Sequence, residues 1–182
     1  MALIEAFGHP LPVTVISDML GIPPEDREAV EAWAELRVDA SADPAARAQN
    51  RERVRAFSSY LGALFERKRR EPADDMISQM VHAQEDGDTL SEEELLSMVF
   101  ILYFAGHMTT VNLTRPNAHR HIAFGRGIHL CVGAPLARLE GQIAFETLFR
   151  RFPGLRLSIP AQELGWKGAA GLRGFPEVPV LF

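Results

Sequence analysis

The chain contains one cysteine, and the run around it constrains the backbone more than any other stretch: Phe124, Gly125, Arg126, Gly127, Ile128, His129, Leu130, Cys131, Val132, Gly133, Ala134, Pro135, Leu136, Ala137, Arg138. Glycines at 125, 127 and 133 let the backbone turn sharply and come close to a flat ligand. After Val132 the apolar spacing becomes helical. Cys131 therefore sits where a loop becomes a helix, facing unpaired backbone N–H groups and the positive end of the helix dipole, both of which stabilise an anionic sulfur. A thiolate in that position is a ready axial ligand for iron.

Two other readings compete for this sulfur. A lone cysteine is commonly an inert buried thiol. His119, His121, His129 and Cys131 could also surround zinc, but H-x-H and H-x-C leave one residue between paired ligands where structural zinc sites use two to four, and zinc gives the glycines no role.

The order Phe, two residues, Gly, one residue, His, one residue, Cys, one residue, Gly, followed by Ala-Pro-Leu-Ala-Arg, resembles the haem-binding loop of the cytochrome P450 family. The resemblance implies haem b, iron protoporphyrin IX, with Cys131 as the axial thiolate that pushes electron density toward oxygen. It implies that Phe124 packs beside the sulfur, that His129 binds a haem propionate and that Ala137 touches the porphyrin face, with Gly125 and Gly133 shaping the loop. Upstream, Phe104, Ala105, Gly106, His107, Met108, Thr109 and Thr110 resemble the distal part of the family's central helix, where Ala-Gly opens a groove for oxygen and an acid-threonine pair relays protons. Ala105 and Gly106 match the groove, and Thr109 matches the catalytic threonine. Met108 stands in the acid's place, and a thioether cannot deliver a proton.

The two matching blocks are joined abruptly. Thr110 is followed by Val111 to Ala118 and at once by His119, where the family carries a helix with Glu-x-x-Arg, several strands and a meander; the join, near Leu113, reads as an internal deletion. Glu52 with Arg55 and Glu66 with Arg69 show that spacing, but on an upstream helix where such pairs are commonplace. The N-terminal third of the family is missing as well. The expected fold is mainly α: an abridged cytochrome P450-like fold with a long buried central helix, the cysteine loop and a few short strands. It is read as one domain over 1–182, built of a helical block at 1–113 and a haem-loop block at 114–182.

In chain order, Leu11 to Leu20 reads as a short helix closed by Gly21, and a second helix runs to about Leu36 with Ala29, Val30, Trp33 and Leu36 on one face. Asp43 and Pro44 open a long helix to Arg70 with Val54, Phe57, Leu61, Leu64 and Phe65 as its stripe; Arg67 to Arg70 suit its C-terminal dipole as a solvated end. Pro72 stops it, Asp74 caps the next helix, and Asp86-Gly87-Asp88 turns the chain. Ser91 and Glu94 form a capping box ahead of Leu95–Ala105, which is apolar nearly all round and so reads as buried. After the cysteine, Leu136, Leu139, Ile143, Phe145, Leu148, Phe149 and Phe152 stripe a helix ending at Pro153-Gly154. Leu155 to Ile159 alternates as a strand, and Val178 to Phe182 is an edge segment because of Pro179.

Charge divides unevenly. Residues 1–114 carry 10 Lys/Arg against 20 Asp/Glu, and residues 115–182 carry 9 against 4. The basic residues are scattered and lack interleaved aromatics, which argues against nucleic acid. Arg126 and Arg138 flank the loop and suit an acidic electron donor. No leader and no run of membrane-span length is evident, so the cytoplasm is the expected compartment. The function implied by the resemblance is a monooxygenase that inserts one atom of O2 into an apolar small molecule, fed by a ferredoxin-type partner and an NAD(P)H reductase. The alternative is a remnant or partner protein that binds haem without turnover.

Overall fold

The structure is a computed structural model describing residues 2–35, 43–85, 88–108, 124–125, 127–165, 175 and 177–182. Residues 13–105 form one compact unit, and residues 1–12 together with 106–182 form a second. The chain is mainly helical with two small antiparallel pairs of strands among the described residues.

The 13–105 unit is a helical cluster. Helix α1 (Pro10–Leu20) ends as expected at Gly21, whose φ of 76° suits a residue without a Cβ; the N–H of Gly21 bonds Asp18 O at 3.1 Å and that of Ile22 bonds Ser17 O at 2.9 Å. These two bonds satisfy the carbonyls that a helix end leaves open. Helix α2 (Arg27–Ala34) buries Val30 and Ala34; Ala29 is exposed rather than on the packed face, and Leu36 lies outside the described residues. Trp33 packs against the core, 5.6 Å from the Tyr60 ring, and the Tyr60 hydroxyl donates to Asp26 Oδ2 at 2.9 Å.

Helix α3 (Pro44–Arg70) starts where the sequence places it: Asp43 accepts the Ala45 N–H at 2.9 Å, with Pro44 in the first turn. Phe57, Leu61, Leu64 and Phe65 are buried, each contributing about 1.5–3 kcal/mol of transfer free energy, whereas Val54 stays exposed. Its basic end is not simply solvated. Lys68 reaches Asp75 in a buried ion pair, and Arg69 pairs with Glu66.

Asp75, not Asp74, caps helix α4 (Met76–His82): the Ser78 N–H bonds Asp75 Oδ1 at 2.7 Å, while the Ser78 hydroxyl accepts the Ala73 N–H at 3.0 Å. The extended backbone at Asp75 puts its carboxylate over the first turn, and Asp74 remains exposed. Strands β1 (Gln84–Glu85) and β2 (Asp88–Thr89) then pair antiparallel across residues 86–87, which lie outside the described set.

Helix α5 (Glu92–Met108) opens on the capping box. Glu94 Oε2 accepts the Ser91 N–H at 2.9 Å and its hydroxyl at 2.7 Å, and Ser91 Oγ accepts the Glu94 N–H at 3.3 Å. Leu95, Val99 and Tyr103, four residues apart, are buried, and Phe57 sits 5.6 Å from Tyr103 and 5.7 Å from Phe100. The other side is not covered: Met98 is 41% and Ile101 64% exposed.

In the second unit, helix α6 (Ala134–Arg151) buries Ala134, Gly141, Ala144 and Leu148. The expected stripe is otherwise turned outward, with Leu136, Leu139, Ile143 and Phe149 exposed. Periodicity identifies residues that share a side of a helix; it does not supply the element that covers them. Phe152 does pack, 4.7 Å from Phe182. The strand expected at 155–159 contracts to β3 (Arg156–Leu157), which pairs antiparallel with β4 (Val180–Leu181), and Ala2 bridges Pro179.

Candidate functional site

The cysteine loop is held by its own backbone. Gly125 has φ 74°, and a Cβ there would overlap the His129 carbonyl oxygen, so only glycine lets the two strands of the loop touch. Gly127, φ 64°, opens a short 3-10 turn, Gly127–His129, closed by the Leu130 N–H on Gly127 O at 3.1 Å. The Cys131 N–H then bonds Phe124 O at 2.7 Å, which ties the cysteine to the start of the loop.

Helix α6 begins three positions after Cys131, with Gly133 as its N-cap. The Ala134 N–H bonds Cys131 O at 3.2 Å, the Ala137 N–H bonds Gly133 O at 2.9 Å, and Pro135 occupies the first turn. Gly133 departs from the expectation that it serves a sharp turn: its φ is −80°, open to any residue, and an added Cβ would lie 3.8 Å from Cys131 Sγ, in ordinary contact.

The thiol is exposed, and so are the apolar side chains around it: Ile128 is 97%, Leu130 60% and Val132 91% accessible. An accessible soft sulfur just before a helix start, between exposed apolar side chains, fits a flat hydrophobic group carrying iron. His129, also exposed, stands two residues from the sulfur. Phe124 is half-buried, and the Arg138 guanidinium lies over its ring, 4.8 Å from the centroid. The two lie fourteen positions apart, and neither periodicity nor motif spacing signals the pair.

Phe124, Gly125, His129, Cys131, Gly133 and Ala137 are thus gathered in one loop and the helical turn that follows it. Ala105 and Gly106 lie in the last turn of α5. Thr109, Arg126, His119, His121 and the join near Leu113 lie outside the described residues. Among the described residues no three His, Cys, Asp or Glu side chains cluster as a metal site would need.

No protein-family model matches the chain. Individual proteins do. A cytochrome P450 of Bacillus subtilis is 32% identical, matched over all of this chain and 65% of its own length. The solved structure of the bacillaene polyketide synthase cytochrome P450 PksS, also from Bacillus subtilis, superposes with a TM-score of 0.87 at 31% identity, over 99% of this chain and 68% of that one. The chain belongs to the cytochrome P450 family. Another relative, the 6-deoxyerythronolide B hydroxylase of Saccharopolyspora erythraea, is 28% identical over 98% of this chain and 64% of its own length. This P450 chain spans less than two thirds of the length of the curated relatives it matches first, 65% and 64%. The first of these alignments runs over 267 positions for a chain of 182 residues, so at least 85 positions (267 less 182) have no counterpart in it.

Proposed function

We propose that this chain is a haem-thiolate monooxygenase of the cytochrome P450 type, with Cys131 as the axial ligand of haem b. The observation that carries the reading is the cysteine loop: a Cys131 N–H held at 2.7 Å by Phe124 O, a left-handed Gly125 closed against the His129 carbonyl, and an exposed sulfur flanked in sequence by exposed apolar side chains. Haem bound there supplies the one-electron and oxygen chemistry of the family. The chain's own part is to hold and tune it. Cys131 would supply the sulfur ligand, Phe124 would flank it, His129 would bind a propionate, Ala137 would meet the porphyrin, and Gly125 would keep the backbone close, with Gly133 between the sulfur and α6. By the same resemblance, Ala105 and Gly106 would leave room for oxygen and Thr109 would pass the proton.

The substrate in this reading is an apolar small molecule, and the names of two relatives, one of polyketide biosynthesis and one a 6-deoxyerythronolide B hydroxylase, support a polyketide-derived one. Electrons come from NAD(P)H through a reductase and an acidic ferredoxin-type protein that meets the basic residues beside the loop, Arg126 and Arg138. No helix of the described residues is long and apolar enough to cross a membrane. The cytoplasm is the proposed compartment, and nucleic acid has no part in the reading.

A second reading has its own support. Met108 replaces the relay acid and at least 85 aligned positions are missing, as in a remnant that holds haem without turnover. The two separate on isotopically labelled O2. With haem, ferredoxin, reductase and NADPH supplied, a monooxygenase transfers one labelled oxygen atom into a polyketide-type substrate. Consumption of O2 into peroxide alone, with no labelled product, would assign the chain to the remnant.

A further inference from the structure

We propose that Arg138 is a positioning residue for the thiolate and acts through Phe124. The geometry forms a closed chain of contacts. The guanidinium of Arg138 lies 4.8 Å from the centroid of the Phe124 ring, where the ring's negative face attracts it. The carbonyl of Phe124 accepts the Cys131 N–H at 2.7 Å. Arg138 belongs to α6, whose start is bonded back to the same cysteine through the Ala134 N–H at 3.2 Å. The ring is thereby clamped from the helix, and its backbone in turn holds the cysteine.

The clamp adds a side-chain contact to a loop otherwise held, among the described residues, by its backbone hydrogen bonds. Gly125 and Gly127 give it conformational freedom, and Ile128, Leu130, Cys131 and Val132 are exposed, so packing of side chains does not fix the sulfur. A planar cation on a short tether from a rigid helix is suited to the task, since Arg stacks on an aromatic face where an ammonium only points at it. Its relevance to chemistry rests on the reading of Cys131 as the haem ligand, but the clamp itself is a property of the chain without haem.

Amide hydrogen exchange at Cys131 in the haem-free protein reads the clamp directly, because that N–H is the one Phe124 holds. Arg138→Ala is expected to speed its exchange about two- to fivefold, the effect of losing one cation–ring contact at an exposed site. In a Phe124→Leu background the same substitution is expected to change nothing further, and Arg138→Lys is expected to restore part of the protection. In the haem-loaded protein, Arg138→Ala is expected to broaden the Soret band as the sulfur samples more positions. Equal acceleration in both backgrounds, or none in either, would overturn the proposal: Arg138 would then act as surface charge alone. Failure of the haem reading is a separate result, recognised by a Soret band that Cys131→Ser leaves unchanged.

Discussion

Gly125 and Gly133 stand on either side of Cys131 and are constrained in different ways. Gly125 combines a positive φ with a Cβ position occupied by the His129 carbonyl, and Gly133 has neither constraint. Gly125→Ala is therefore expected to open the loop, since a left-handed backbone costs about 1–2 kcal/mol for a residue with a Cβ before the overlap is counted, and to weaken haem binding about tenfold or more. Gly133→Ala is expected to change loop stability by less than ~0.5 kcal/mol. A haem titration of both variants checks the contrast. At this scale the sequence was a good guide to the residues around the sulfur, because a motif is a local record of backbone demands. It could not rank the glycines, since φ and the position of the His129 carbonyl are set only when the loop closes. Nor could it pair Phe124 with Arg138, whose contact is made by the fold of the loop onto α6.

Among the elements, the junction of α3 and α4 carries the strongest electrostatic consequence. Asp75 caps α4 through Ser78, pairs with Lys68, and lies against the backbone of Gly21, where a Cβ would overlap its carboxylate. Burial pushes the Asp75 carboxyl up, but the Lys68 hydrogen bond and the two from Ser78 outweigh it and leave the pKa below its ordinary value of 3.8. A carboxyl whose pKa is lower when folded binds more protons when unfolded, so its contribution is present above about pH 3.8 and lost as the pH falls toward the folded value. Asp75→Ala is expected to destabilise the 13–105 unit by about 3 kcal/mol, because it removes a cap and leaves a buried ammonium unpaired. Asp74→Ala is expected to be near neutral. Urea titrations at pH 7 and pH 3 separate the two, with the difference between wild type and Asp75→Ala shrinking at the lower pH. The helix boundaries here were legible from Pro44, Pro72 and the Ser91–Glu94 box. The choice between adjacent aspartates was not, because it turns on one backbone dihedral and on a lysine seven residues away.

For the whole molecule, the family was legible in the sequence from the cysteine loop and the two matching blocks. What the sequence could not give was burial. Ile101 on α5 and Leu139 and Ile143 on α6 read as core and remain exposed, because a helix side is buried only if some other segment covers it. The proposed role of position 108 also belongs to this scale, since it bears on the function of the assembled protein. In the haem-loaded protein Met108→Glu is expected to raise the ratio of product to peroxide, restoring a group able to pass protons toward Thr109; an unchanged ratio would mean that protons arrive by another route. The central claim is that Cys131 sulfur binds the iron, and the absorption spectrum of the reduced, carbon monoxide-treated, haem-reconstituted protein tests it most directly. The wild type is expected to show the strongly red-shifted Soret band of thiolate ligation and Cys131→Ser, which lacks the soft sulfur, to lose it; the same band in both proteins would mean that Cys131 does not bind the iron.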